Sequence, residues 1–143
     1  TLYVENININ GDKPLQVCSG LVNHIPIDKM LNARVVLVAN MKPTKMRGVE
    51  SEAMVLCATD PNDSNKVEII TPPKGAAVGE RVTFDGYEND PDEKLNPKKK
   101  VFEAVQPDFL VNKDGIATYK NVPFQTTAGP CSVESIREGG SIR

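Results

Sequence analysis

Cys18, His24, Cys57 and Cys131 are the side chains of this sequence that could act as nucleophile, base or soft metal ligand. A thiol activated by histidine needs the two groups within hydrogen-bond reach and a third to orient the ring. Cys18 and His24, the one histidine, lie six residues apart. Cys18 sits in the apolar run LQVCSGLV, however, where a cysteine behaves as a small buried hydrophobe. A zinc site from the same four residues would need close pairs, Cys-x-x-Cys or histidines three to five apart, and the spacing supplies neither. Gly48, Gly75, Gly79 and Gly86 form no phosphate-cradling motif. The expectation is a protein with no catalysis, no metal and no cofactor.

A different chemistry is concentrated in NMKPTKMRGVESEAM, residues 40–54, where Lys42, Lys45 and Arg47 precede any acid and Glu50 is the first. The formal net charge is −2, but the charges are segregated. Lys29, Arg34, Lys42, Lys45 and Arg47 form an acid-free stretch, and Lys94, Lys98, Lys99 and Lys100 form a second. Between them DGYENDPDE, residues 85–93, holds five acids and no base. A local basic patch acts within a Debye length of about 8 Å at physiological salt, so an acidic whole-chain balance does not argue against a polyanionic partner. Pro43 stiffens the basic run and Gly48 permits a sharp bend, which reads as a shaped loop between two strands. Composition leaves both an anion-binding loop and a plain solvated one open. Met41 and Met46 fit an adaptable binding surface, and Met54, inside AMVLC, reads as core.

The elements that must hold this loop are short. At 143 residues the chain suits one domain, or one domain with an extension, burying roughly two-thirds of the unfolded surface. Composition is that of a globular chain, and no apolar run approaches the roughly 20 residues of a bilayer span, so no membrane is expected. The odd, widely spaced cysteines do not suit a disulfide framework and fit a reducing compartment. ENININ alternates like a half-buried strand, and NGDKP turns it back into LQVCSGLV as a hairpin. Pro26 opens a short helix, PIDKMLN, and RVVLVAN reads as a strand covered on both faces. AMVLCAT, KVEII and RVTF are further strands, PPKGAAVGE is a loop, and IATYK, VPFQT and CSVESI are late strands. Asn96 and Pro97 should cap a helix, NPKKKVFEAVQ, that packs Val101, Phe102 and Val105 and leaves its lysines in water. Many short strands with little helix favour a small barrel, which reads RNA rather than DNA on a strand face and its loops.

SGLVNHIP (19–26), NMKPTKMRGVESEAMVLC (40–57), LNPKKKVFEAVQPD (95–108) and ATYKNVPF (117–124), in this order, resemble the tRNA-binding domain of the endothelial-monocyte-activating-polypeptide-II family. The resemblance implies a mainly β fold: an OB-fold barrel over residues 1–84 and a packed, β-rich C-terminal extension over 85–143 that imitates a dimer interface and keeps the domain monomeric. It implies that the domain holds tRNA for an aminoacyl-tRNA synthetase, fused or separate, in the cytoplasm; some members also act outside cells as cytokines. Carried over onto the matching positions, the RNA-binding residues are Asn40, Lys42, Lys45, Arg47, Ser51 and Met54, with Lys98, Lys99 and Lys100 as a secondary set. Lys42, Lys45 and Arg47 would pair with phosphates, Ser51 would donate to a phosphate or 2′-hydroxyl, and Met54 would pack against the strand. The acidic loop is expected away from the RNA path. The family's opening strand, of the type LDIRVGKI, has no counterpart before LYVE, so the resemblance implies a fragment whose barrel has an unpaired edge.

Overall fold

The computed structural model describes residues 2–88 and 90–143. The expectation for the acidic loop therefore includes one position, Asn89, outside the described residues. The chain is mainly β. Strand β1 (Tyr3–Ile7) pairs antiparallel with β2 (Leu15–Ser19), the hairpin anticipated from ENININ. Pro26 precedes α1 (Ile27–Met30), as its fixed φ allows. Of RVVLVAN only β3 (Leu37–Val38) is strand, but the segment is covered on both sides as expected: Val36 and Val38 pack on the main core, and Val35 and Leu37 on a second, smaller cluster, with Val36 alone fully buried.

Full burial on both faces occurs between residues 53 and 58. Ala53, Val55 and Cys57 point into a small cluster with Val17, while Leu56 and Ala58 enter the main core with Val36, Ile70, Phe124 and Ile142. The period-two alternation of side chains sends one stretch of chain into two cores. AMVLCAT is accordingly not one strand. It divides at Leu56 into β6 (Met54–Val55), paired with β3, and β7 (Cys57–Asp60), paired with β8 (Asp63–Ile69). Leu56 is the corner: its N–H donates to Val36 O at 3.0 Å and its carbonyl accepts from Ile70 N at 3.3 Å.

The basic stretch is itself a hairpin of β4 (Thr44–Met46) and β5 (Val49–Ser51), where a loop had been expected. Further on, RVTF forms no strand and keeps a single bridge, Thr83 to Gln125. NPKKKVFEAVQ begins with the expected cap, Lys98 N–H donating to Asn96 Oδ1 at 3.0 Å, but is not one helix. Lys100 adopts φ 49°, ψ 44° and separates a 3-10 turn (Pro97–Lys99) from α2 (Val101–Val105). Val101 is exposed, and Phe102 carries the packing against the main core.

The C-terminal part contributes β9 (Phe109–Val111), β10 (Ala117–Tyr119), β11 (Val122–Pro123), β12 (Gln125–Thr126), β13 (Gly129–Pro130) and β14 (Ser141–Ile142). CSVESI is not a strand; Ser132 only bridges Thr71 and Ile116. A six-stranded sheet in the order β11-β10-β9-β14-β7-β8 joins strands from both halves of the sequence. Phe124, 2% exposed, meets Phe84 and Phe109 edge-on at 4.9 and 5.1 Å, which locks residues 84, 109 and 124 together. Glu68 of β8 clasps the C-terminal segment, accepting from Ser135 N and Ile136 N at 3.0 Å each and from the Ser135 hydroxyl.

Candidate nucleic-acid interface

The hairpin β4–β5 closes through Arg47 and Gly48, both at positive φ (53° and 81°). Two successive left-handed residues give the two-residue turn whose twist matches flanking strands. Gly48 occupies such a position at no steric penalty, and Arg47 is held there by the pairing on either side. The register sets Thr44 opposite Ser51, Lys45 opposite Glu50 and Met46 opposite Val49. Alternation then divides the ribbon: Met46, Val49 and Ser51 turn inward, while Lys45 and Glu50 point to solvent. Arg47 projects from the tip and Lys42 from the approach, both exposed. Among the described residues the single ion pair is Lys66–Asp60 at 3.9 Å, so Lys42, Lys45 and Arg47 carry unpaired charge.

The ribbon is fastened to β2 by side chains that take the place of a neighbouring strand. Gln16 N donates to Glu52 Oε2 at 2.8 Å, Glu52 N to Gln16 O at 2.8 Å, and Cys18 N to Ser51 Oγ at 3.0 Å. Gln16 Nε2 reaches Glu50 O at 2.8 Å. Ser51 is buried, and its hydroxyl proton is committed to Ala53 O at 3.0 Å. Its place is under the hairpin as an anchor. Asn40 is similarly occupied, its side-chain amide donating to Asp92 O at 2.8 Å and its carbonyl accepting from Leu95 N at 2.7 Å. Met54 is half-buried against the main core and reaches a groove.

These bonds bring two basic runs together. Lys98 is three residues from Leu95, a reach of at most about 10 Å of chain, and Leu95 is bonded to the residue two before Lys42. Lys98, Lys99 and Lys100 are all exposed on this turn. The same bonds bring Asp92 of the acidic loop to the base of the hairpin, nearer than its sequence distance suggested. Gln16 and Glu52, which position the hairpin, carried no signal in the sequence beyond Glu52 being the second acid after the cations.

The groove beside the hairpin measures about 500 Å³ and is lined by Ser19, Met41, Lys42, Met46, Met54 and Cys57 among others. Cys18 and His24 also border it without meeting: the thiol faces Val49 O at 3.9 Å, and the imidazole Nδ1 lies 3.4 Å from Asn65 O. All three cysteines are free and buried. Burial pushes the Cys57 thiol up to about 12, with the charge of Glu5 adding to it, and burial with the charge of Glu80 puts Cys131 at about 11. Both stay protonated at neutral pH and are poor nucleophiles and ligands. Among the described residues no three His, Cys, Asp or Glu side chains converge as a metal site, and no helix is long and apolar enough to cross a membrane.

A family model described as "Putative tRNA binding domain" matches residues 1–81. The chain belongs to the tRNA-binding domain family. This family marks a tRNA-binding module rather than a catalytic one. The domain is 48% identical over 141 residues to aminoacyl tRNA synthase complex-interacting multifunctional protein 1 of Mus musculus, covering 98% of this chain and 44% of that protein. It is 50% identical over 138 residues to the cytoplasmic methionine–tRNA ligase of Arabidopsis thaliana, covering 96% of this chain and 17% of that enzyme. The crystal structure of the C-terminal domain of Plasmodium vivax p43 superposes with a TM-score of 0.89 at 32% identity, covering all of this chain and 86% of that one. The tRNA-binding domain described here thus spans less than half the length of these curated relatives.

Proposed function

We propose that this domain holds tRNA by its backbone and shape and presents it to an aminoacyl-tRNA synthetase, in the same chain or a separate one, in the cytoplasm. The observation that carries the reading is the trio of unpaired cations, Lys42, Lys45 and Arg47, displayed on a ribbon whose inner face is bolted to β2. A pre-shaped cationic ribbon meets phosphates with little ordering of its own, and phosphate contacts fix position without reading sequence. Asn40 and Ser51 serve the site by holding the ribbon, and Met54 by shaping the groove beside it. Lys98, Lys99 and Lys100 extend the footprint through the Leu95–Asn40 contact.

The arrangement we favour is an OB-type barrel over residues 1–84, supported by the packing of β2 on both β5 and β6, with residues 85–143 as an extension that continues its sheet. That extension takes the place of a dimer partner and leaves the domain monomeric. The test is a gel-shift titration against a panel of unrelated tRNAs, followed by aminoacylation with a synthetase catalytic domain with and without the domain. Affinities within about a hundredfold of one another and a lower KM for tRNA are expected. A stronger preference for one tRNA would show base reading, and an unchanged KM would remove the presenting role.

A further inference from the structure

Thr44 stands among the cations of the ribbon and takes no part in anchoring it. It follows Lys42 and Pro43 and precedes Lys45 and Arg47, so three cations and no acid lie within three residues of it. No other serine or threonine of the sequence has such surroundings. Thr44 is exposed, in the extended arm β4. Ser51, its partner across the ribbon, is the opposite case: it is buried, and its hydroxyl is engaged by Cys18 N and Ala53 O. An accessible hydroxyl on extended backbone, flanked on both sides by one sign of charge, is what a protein kinase with a complementary cleft selects.

The charge balance gives such a modification a consequence. Between Asn40 and Ser51 three cations against the single acid Glu50 leave a net charge of +2. A phosphothreonine carries about −1.5 to −2 at pH 7, which brings the ribbon close to neutral. Lys45 is adjacent, while Lys42 and Arg47 are two and three residues away along the chain. At about 3.3 Å per residue of strand, all three ammonium or guanidinium stems can reach a phosphate on Thr44. They would meet it before they met an RNA phosphate, because it is held on the same ribbon.

We propose that Thr44 accepts a phosphoryl group from a lysine- and arginine-directed serine/threonine kinase, and that its phosphorylation releases tRNA from the ribbon. The second half rests on the ribbon being the phosphate contact; the first does not. In the transfer Thr44 Oγ forms a bond to the γ-phosphorus of ATP. The bond from that phosphorus to the β–γ bridging oxygen breaks, its electron pair leaves on ADP, and the hydroxyl proton passes to the kinase's base. Lys98, Lys99 and Lys100 are untouched, so binding weakens without vanishing.

The test incubates the folded 143-residue chain with the catalytic domain of a basic-directed serine/threonine kinase and magnesium ATP, and locates the phosphate by tandem mass spectrometry. Thr44 should be labelled, excess tRNA should slow the labelling, and Thr44→Val should lose that label while keeping the parent's tRNA affinity and melting temperature. The same chain made with phosphothreonine at position 44 should bind tRNA about tenfold more weakly, with a salt slope shallower by about one to two units. Labelling that spares Thr44, or that reaches it only after unfolding, overturns the proposal. So does a phosphorylated chain that keeps the parent's affinity and salt slope, or one that loses affinity only because its melting temperature collapses. The variant lacking Lys42, Lys45 and Arg47 tells the two failures apart: if it binds as the parent does, the ribbon is not the tRNA contact, whereas if it binds weakly and the phosphorylated chain does not, the modification alone is refuted.

Discussion

Replacing Ser51 with alanine separates an anchor from a contact. The hydroxyl accepts from Cys18 N and donates to Ala53 O, both at 3.0 Å, in a residue only 5% exposed. Truncation leaves a buried N–H with no acceptor, a loss of about 1–3 kcal/mol, and the Ala53 carbonyl loses a donor as well. The removed atom is small, so no cavity contribution is added. Taking about 2 kcal/mol, and about 3–4 °C per kcal/mol for a domain of this length, the melting temperature should fall by about 6–8 °C. The neighbouring Gln16–Glu52 bonds still hold the ribbon, so tRNA affinity measured well below the transition should change by less than about threefold, under 0.7 kcal/mol. Differential scanning calorimetry and a filter-binding titration on the same sample decide the matter. An unchanged melting temperature with a tenfold loss of affinity would refute the reasoning and place the hydroxyl on the RNA.

The other expectations are as follows. Gly48→Ala meets no atom within 4 Å yet sits at φ +81°, so it should destabilise the hairpin by about 1–2 kcal/mol and weaken tRNA binding without affecting the main core; a thermal melt and hydrogen exchange at Met46 and Val49 would register it. Cys57 and Cys131, held protonated at about 12 and 11, should resist iodoacetamide at pH 8 until the protein unfolds, and rapid labelling of the native protein followed by mass spectrometry would contradict their burial. Burial opposes ionisation of Glu68, but the Ser135 hydroxyl, the Ile136 and Ser135 backbone N–H groups and Lys66 outweigh it and hold its pKa below the ordinary carboxylate range. Its stabilising contribution is complete above the pKa of the unfolded carboxyl and disappears as pH falls through the lower native value. Glu68→Gln should flatten that acid limb of the stability curve, and an acid limb identical to the parent's would remove Glu68 from it.

Legibility followed how local the signal was. The β1–β2 hairpin, the turn after Pro26 and the Asn96 cap all rest on alternation or on one residue's dihedral preference, and all three are present. RVVLVAN is covered on both faces as its apolar run suggests, yet only Leu37–Val38 pairs as strand, because the length of pairing depends on its partner Met54–Val55 and not on β-branched composition. The stretch 53–58 is also buried on both faces, and its division at Leu56 depends on Val36 and Ile70, partners remote in sequence. The lysine turn reads as helix until Lys100 takes a left-handed conformation that propensity does not foresee. At the site, the cations were visible as a charge run, whereas the structural engagement of Ser51 and Asn40 was not. Their partners, Cys18 and Asp92, lie 33 and 52 residues away, and motif spacing carries no record of which side of a residue is occupied.

The central claim is that the ribbon's cations carry the phosphate contact, and the salt dependence of tRNA binding in the triple variant Lys42→Ala, Lys45→Ala, Arg47→Ala tests it most directly. Each neutralised phosphate contributes roughly 0.7–0.9 to the slope of log affinity against log salt, so the variant should bind more weakly with a slope shallower by about two to three units. The three positions are exposed and unpaired, so the melting temperature should stay within the range set by about 0.5 kcal/mol. A folded variant that keeps both the parent's affinity and its salt slope would contradict the account, because the tRNA would then be held elsewhere on the molecule.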